Sequence, residues 1–202
     1  MTTKLAAVIV LVIVALLSVA GCINLSPASS PTPIASNETV TSNNTTFSSV
    51  AGFNITYPKT LKVDINDTNA SGQVKVYVYL TTNNTVDAMD VATEAVSPNA
   101  TYMDYTLYNV GKITDYPNYQ QITNQSATLG GKPAYTVVWQ ATVPVQTGTS
   151  ASTVQNQTLK VMQTYVVNNN NGYVVTYKAI PSDYNTYLAQ AQQIMSSFEF
   201  IS

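Results

Sequence analysis

The chain of 202 residues carries 8 basic and 10 acidic side chains for a formal charge of −2, and every basic group is lysine, with no arginine and no histidine. Such a chain has no basic face to draw nucleic-acid phosphates and no guanidinium to clamp phosphate or carboxylate, so nucleic acid is excluded as a partner. With no histidine and a single cysteine, Cys22, the usual Ser/His and Cys/His nucleophile systems and His/Cys zinc sites are excluded too.

At the N-terminus Lys4 precedes an unbroken apolar run over residues 5–17, followed by the small residues Ser18, Ala20 and Gly21 and then Cys22. Charge, apolar run and small residues in that order form a secretory signal, and the run is shorter than the ~20 residues a spanning helix needs. Residues 1–21 are therefore expected to be a lipoprotein signal peptide, with Cys22 lipidated after cleavage. A retained anchor and a plain cleaved signal are the alternatives. One acyl chain holds a membrane only marginally, so stable attachment calls for a two-chain lipid on Cys22. The expected location is the extracytoplasmic face of the cell membrane.

Residues 22–49 are rich in Ser, Thr, Pro and Asn and poor in large apolar side chains, which predicts a disordered tether. Residues 50–202 are expected to form one domain. Within it, residues 53–57 and 61–65 predict short strands and residues 66–72 a polar loop. Over residues 73–82, Val74, Val76, Val78 and Leu80 alternate with Lys75, Tyr77 and Tyr79, the two-residue period of a strand. Thr85 is placed to cap a helix over residues 86–96, and a second short helix is expected over residues 102–108. Residues 120–128, the turn Leu129-Gly130-Gly131-Lys132-Pro133 and residues 134–143 predict a hairpin. After a mobile loop over residues 144–156, a second hairpin is expected, turning at Asn168-Asn169-Asn170-Asn171-Gly172 with Asn171-Gly172 as its strongest signal. Ser182 or Asp183 then caps a terminal helix whose Tyr184, Tyr187, Leu188, Ala191, Ile194, Met195 and Phe198 make an apolar stripe. The fold class expected is α+β, a mainly antiparallel sheet covered by helices.

Solubility rests on uncharged polar groups. Asn-x-Ser/Thr triplets begin at Asn24, Asn37, Asn43 and Asn44, and within the expected domain at Asn54, Asn66, Asn69, Asn83, Asn99, Asn124 and Asn156. The domain positions are candidate glycosylation sites on an exported surface, although an Asn/Thr-rich composition also produces such triplets without glycan.

Gly52-Phe53-Asn54-Ile55-Thr56-Tyr57-Pro58 as an opening strand, Leu129-Gly130-Gly131-Lys132-Pro133-Ala134 before a long strand, and residues 162–179 running into residues 184–200 resemble the PsbP-like family. The similarity spans roughly residues 50–200, and the Asn-rich, lipid-anchored form resembles archaeal, methanogen-type members. Where members often carry Trp shortly after the Tyr-Pro pair, this chain has Leu61. The resemblance implies an antiparallel sheet sandwiched between helices and carries no photosynthetic role; its motifs mark folding positions rather than an activity.

Candidate chemistry is sparse. Asp64-Ile65-Asn66-Asp67-Thr68-Asn69 imitates the start of a calcium loop, but Asn69 and Lys75 occupy positions that require Gly and Glu, so a polar turn is expected. Asp87, Asp90 and Glu94 would share one face of the expected helix, where a solvated face is the preferred reading over a cation site. Tyr102, Tyr105, Tyr108, Tyr116 and Tyr119 crowd one segment and are the candidate ligand-binding residues, set against the simpler reading that they pack a helix onto the sheet. Trp139 is expected in the core, with a partner for its indole N–H. No catalytic, metal or cofactor residues are assigned. The expected function is a non-catalytic, lipid-anchored binding or assembly module that engages another envelope protein or a surface polymer. A solute- or glycan-binding receptor is the alternative, and a carboxylate-only hydrolase a remoter one.

Overall fold

The structure, a computed structural model, describes residues 37–41, 43–67, 73–82, 86–146 and 154–201. The signal segment, Cys22, Asn69, Asn83 and Thr85 lie outside the described residues. Two antiparallel sheets account for most of the rest. The smaller has strand order β1 (Asn37–Thr41), β2 (Asn44–Ser49), β3 (Phe53–Pro58), β11 (Glu199–Phe200). The larger runs β4 (Lys62–Ile65), β5 (Gln73–Tyr79), β6 (Ala88–Ala95), β10 (Asn171–Ala179), β9 (Val154–Asn168), β8 (Lys132–Gln146), β7 (Gln120–Leu129). Helix α1 (Tyr102–Ile113) packs on β8 and β9, and α2 (Tyr184–Ser196) on β10 and β3.

The small sheet overturns part of the expected tether. Residues 44–49 alternate Thr45, Phe47 and Ser49 inward, and Phe47 is fully buried against Phe53 with ring centroids 6.1 Å apart. A Thr- and Asn-rich composition hides this strand because one aromatic supplies the apolar contact and backbone pairing to β3 supplies the rest. Phe47, Phe53, Ile55 and Tyr57 from this sheet, Val76, Val78, Met89, Val91, Val175 and Tyr177 from the large one, and Ala191 and Ile194 from α2 form one core. The face of the large sheet opposite α1 is thus covered jointly by a second sheet and a helix. A second core lies under α1 and gathers Tyr105, Val137, Trp139, Ala141, Leu159, Val161 and Tyr165.

The helix expected over residues 86–96 does not form; Ala88–Ala95 is a strand instead. Ala88, Met89, Asp90, Val91, Ala92, Thr93, Glu94 and Ala95 include good helix formers, but β6 pairs with β5 on one side and β10 on the other and is buried on both faces over most of its length. Central sheet position overrides local propensity. The expected short helix is longer, and Thr101 caps it: its Oγ1 accepts from the Asp104 backbone N–H at 3.1 Å while the Asp104 carboxylate accepts from the Thr101 N–H at 2.9 Å. At α2 the N-cap is Asp183, whose side chain makes no capping bond; it accepts instead from Ser182 Oγ at 2.8 Å.

Both hairpins form, with two adjustments. The β8 and β9 strands extend into the expected loop, pairing Pro144 with Asn156 and Gln146 with Val154. The second turn sits at Asn169-Asn170, with φ of 50° and 60°, so that Asn168 faces Asn171. Two adjacent left-handed residues are what a two-residue hairpin turn needs, and asparagine tolerates that region. Gly172 lies inside β10 for another reason: a Cβ there would sit 2.5 Å from the Tyr105 ring. The glycine admits the helix, not the turn.

Candidate functional site

Six charged or aromatic side chains far apart in sequence meet on the α1 side of the large sheet, beyond the area the helix covers. Along β10, Gly172, Val174, Thr176 and Lys178 point to this side by strand alternation. Tyr105 fills the Gly172 end, and the helix does not reach the Lys178 end, where Asp90 and Thr176 are buried, Lys178, Tyr77 and Tyr79 half-buried, and Lys62 and Asp64 exposed. Cross-strand register sets Thr176 and Tyr77 opposite Asp90, Tyr79 opposite Ala88 and Lys62, and Asp64 opposite Tyr77.

Contacts tie these groups into one row. Lys178 Nζ donates to Asp90 Oδ2 at 3.3 Å and lies 4.9 Å from the Tyr77 ring centre. Tyr77 and Tyr79 stack at 6.3 Å. The Tyr79 hydroxyl donates to Asp64 Oδ2 at 2.7 Å, and Lys62 Nζ lies 3.7 Å from the same carboxylate and 4.6 Å from the Tyr79 ring centre. Small Ala88 between Tyr79 and Lys178 leaves room for the lysine to reach across β6.

Lys178, Tyr77 and Tyr79 all hold their protons more tightly than usual. Burial pulls the Lys178 ammonium down, but Asp90 and the tyrosines outweigh it, and its pKa ends above the usual lysine value. Lys178 draws Tyr77 down, and burial with Asp90 reverses this to a net rise. Burial and the bond to Asp64 push the Tyr79 hydroxyl up to about 12. The face therefore offers hydroxyls, ring surfaces, a fixed ammonium and carboxylates as recognition groups.

Lys75, expected on the same side of the strand as Tyr77 and Tyr79, is buried instead. A register shift between Val74 and Val76 breaks the alternation there, and burial lowers the Lys75 pKa, partly offset by Asp67.

The expected tyrosine segment is divided by the fold. Tyr105 is buried, edge-on to Tyr165 at 5.8 Å, and burial followed by Glu94 raises its pKa. Tyr116 and Tyr119 each lie 6.2 Å from Trp139, which is itself buried and donates its Nε1–H to Gln163 Oε1 at 2.8 Å. Tyr102 is half-buried, and Tyr108 is exposed with Lys112 Nζ 3.9 Å from its ring centre. These five do not converge on one surface.

The acids once grouped on a helix separate as well. Asp87 is fully buried and accepts from the Ile180 backbone N–H at 3.1 Å, Asp90 holds Lys178, and Glu94 lies 3.9 Å from Lys112. Asp67 accepts from Ser49 Oγ and the Val50 N–H, pinning the polar turn to the small sheet. Among the described residues no three His, Cys, Asp or Glu side chains gather closely enough to hold a metal ion. Of the candidate glycosylation positions, Asn66, Asn99, Asn124 and Asn156 are exposed, whereas Asn54 is half-buried in β3.

Comparison with solved structures identifies the architecture. The solution structure of cyanobacterial PsbP (CyanoP) from Synechocystis sp. PCC 6803 superposes with a TM-score of 0.51 at 13% identity, over 87% of this chain and 99% of that one. The fold is PsbP-like. LpqN of Mycobacterium tuberculosis, described as involved in cell envelope biogenesis, gives 0.48 at 11% identity over 74% and 83% of the two chains. The Saccharomyces cerevisiae Ran-binding protein Mog1p gives 0.48 at 7% identity over 83% and 97%. No protein-family model and no curated protein matches the sequence. Among the described residues no helix is long and apolar enough to cross a membrane.

Sequence reasoning missed the row around Lys178 for a definite reason. Tyr77 and Tyr79 were legible as a pair on one side of β5, but Asp90 was assigned to a helix, and Lys178 meets it only through the β6 to β10 pairing across 88 residues of chain.

Proposed function

We propose that the chain is a lipid-anchored, non-catalytic binding or assembly module on the extracytoplasmic face of the membrane, an archaeal-type lipoprotein built on the PsbP-like fold. The observation that carries this reading is the apolar run over residues 5–17 ending in Val19-Ala20-Gly21-Cys22. With strand β1 beginning at Asn37, residues 23–36 remain as the link, which at full extension reaches about 50 Å, enough to hold the domain near the membrane without pressing it there. The surface offered to a partner is the row of Lys62, Asp64, Tyr79, Tyr77 and Lys178, with buried Asp90 holding Lys178 in place.

Mass spectrometry of the membrane fraction tests the anchor: a mature chain starting at lipid-modified Cys22 is expected, and Cys22→Ala is expected to abolish lipid attachment. Unmodified Cys22 in the mature membrane-bound chain, or the full-length product with Met1 free in the cytosol, refutes it. Crosslinking in intact cells then tests the partner surface, since Tyr79→Ala should lose the neighbours that the parent chain captures.

A second reading, a glycan-binding receptor, is favoured by the stacked Tyr77 and Tyr79 with their flanking hydrogen-bonding groups rather than by the segment from Tyr102 to Tyr119. Polymer binding in a glycan array, lost in Tyr77→Ala, is the outcome that selects it.

A further inference from the structure

We propose that β7 pairs antiparallel with β7 of a second copy about a twofold axis near Ser126, joining two seven-stranded sheets into one. Gly130 and Gly131 have φ of 56° and 74°, so they form a two-residue turn that closes on a hydrogen-bonded Leu129 and Lys132 pair. Bonding then alternates along the strand: Thr123, Gln125 and Ala127 direct their N–H and C=O groups to β8, while Asn124, Ser126 and Thr128 direct theirs away from the sheet. Among the described residues no strand pairs with those outward groups, which form a row of donors and acceptors at the end of the sheet.

Other exposed edges of the same sheet are defended. The opposite edge, β4, has four residues and carries Lys62 and Asp64. Where β8 runs past the end of β7, the Thr142 N–H bonds to Pro117 O at 2.8 Å, and two residues on, the same row holds Pro144, which has no N–H to offer. By contrast β7 is ten residues long, exposed over nearly all of its length, and contains neither a charge nor a proline. Its one irregularity, a register shift between Gln121 and Thr123, lies at the far end and leaves residues 123–129 regular.

The occupant is a second copy because the strand complements itself. Antiparallel pairing about Ser126 sets Asn124 opposite Thr128, Gln125 opposite Ala127 and the two Ser126 residues opposite each other. No like charges meet, and the facing side chains are uncharged hydroxyl, amide and methyl groups. A strand without charge gives a charged foreign segment nothing to select. Asn124-Gln125-Ser126 is also a glycosylation triplet, so a sugar on Asn124 would close this edge.

Sedimentation equilibrium of the full chain, made without glycan and in density-matched detergent, tests the pairing independently of the lipid and partner readings. Twice the monomer mass is expected, falling to the monomer mass in Ser126→Lys and unchanged in Thr60→Lys, which places the same charge in an exposed turn. Asn124→Lys is the second lesion should the first misfold. In hydrogen exchange the Asn124 and Thr128 amides are expected to exchange at least about tenfold more slowly in the parent than in Ser126→Lys. A monomeric parent, a dimer that survives both lysines, or equal protection of these amides in parent and variant overturns the proposal.

Discussion

Replacing Gly172 with alanine tests how α1 is seated on the large sheet. The φ of Gly172 lies outside the left-handed region, so the backbone accepts alanine and only the added carbon matters. That carbon would lie 2.5, 2.6 and 2.9 Å from three atoms of the Tyr105 ring, nearly 1 Å inside ordinary contact. The ring has little room to retreat, since it packs edge-on against Tyr165 at 5.8 Å and is buried under a helix fixed by the Thr101 cap. Overpacking of this kind costs about 1–3 kcal/mol, and the entropy alanine recovers over glycine in a strand returns about 0.5–1. The net expectation is a loss of about 1–2 kcal/mol, read as a lower urea midpoint with an unchanged slope and a thermal midpoint lower by about 2–4 °C per kcal/mol. In a Tyr105→Leu background the penalty should largely vanish, giving a coupling of about 1 kcal/mol in the double-mutant cycle. A Gly172→Ala variant as stable as the parent, or a penalty untouched by Tyr105→Leu, refutes the seating argument.

Phe47→Ala should cost about 3–5 kcal/mol in urea unfolding, because it empties a core position in β2, and a near-parental midpoint would return residues 44–49 to the tether. Asn170→Ala should cost about 1 kcal/mol for a left-handed residue, while Asn171→Ala should be near neutral; the reverse order in the same assay would move the turn to Asn171-Gly172. Asp90→Asn removes the partner of Lys178, whose side chain keeps 24% exposure, so a loss of about 1–3 kcal/mol is expected at pH 7. In the parent the raised Lys178 pKa contributes stability present below 10.5 and lost as pH climbs through the folded value; in Asp90→Asn only Tyr77 and Tyr79 still oppose the effect of burial, so this alkaline loss should be smaller than in the parent. Tyr79, with its pKa raised from 10.0 to about 12, stabilises the fold below pH 10 and loses that contribution as pH rises toward 12, so Tyr79→Phe should flatten the alkaline limb of the stability curve followed by circular dichroism.

Where the sequence and the fold part company, the cause is non-local each time. The alternation of Val76, Val78 and Leu80 against Tyr77 and Tyr79 was legible because one sheet face is apolar and the other is not. The bulge at Val74 to Val76, which turns Lys75 inward, leaves no such trace. Residues 88–95 were illegible as a strand because β6, flanked by β5 and β10 in the sheet, is buried on both faces over most of its length, erasing the period that would distinguish it, while Ala, Met and Glu speak for a helix. Asn171-Gly172 imitated a turn because two demands converge on the same residue type: a left-handed turn and a close approach both ask for glycine, and only the position of Tyr105 shows which one operates. The row around Lys178 follows the same logic. Lys62, Asp64, Tyr77, Tyr79, Asp90 and Lys178 form no linear motif, since their meeting depends on the register of four strands and on Ala88 being small enough for Lys178 to cross it. In a chain of which only 9% is charged, four charges of this row are brought together by strand register alone, whereas the crowded tyrosines of residues 102–119 are mostly occupied in packing.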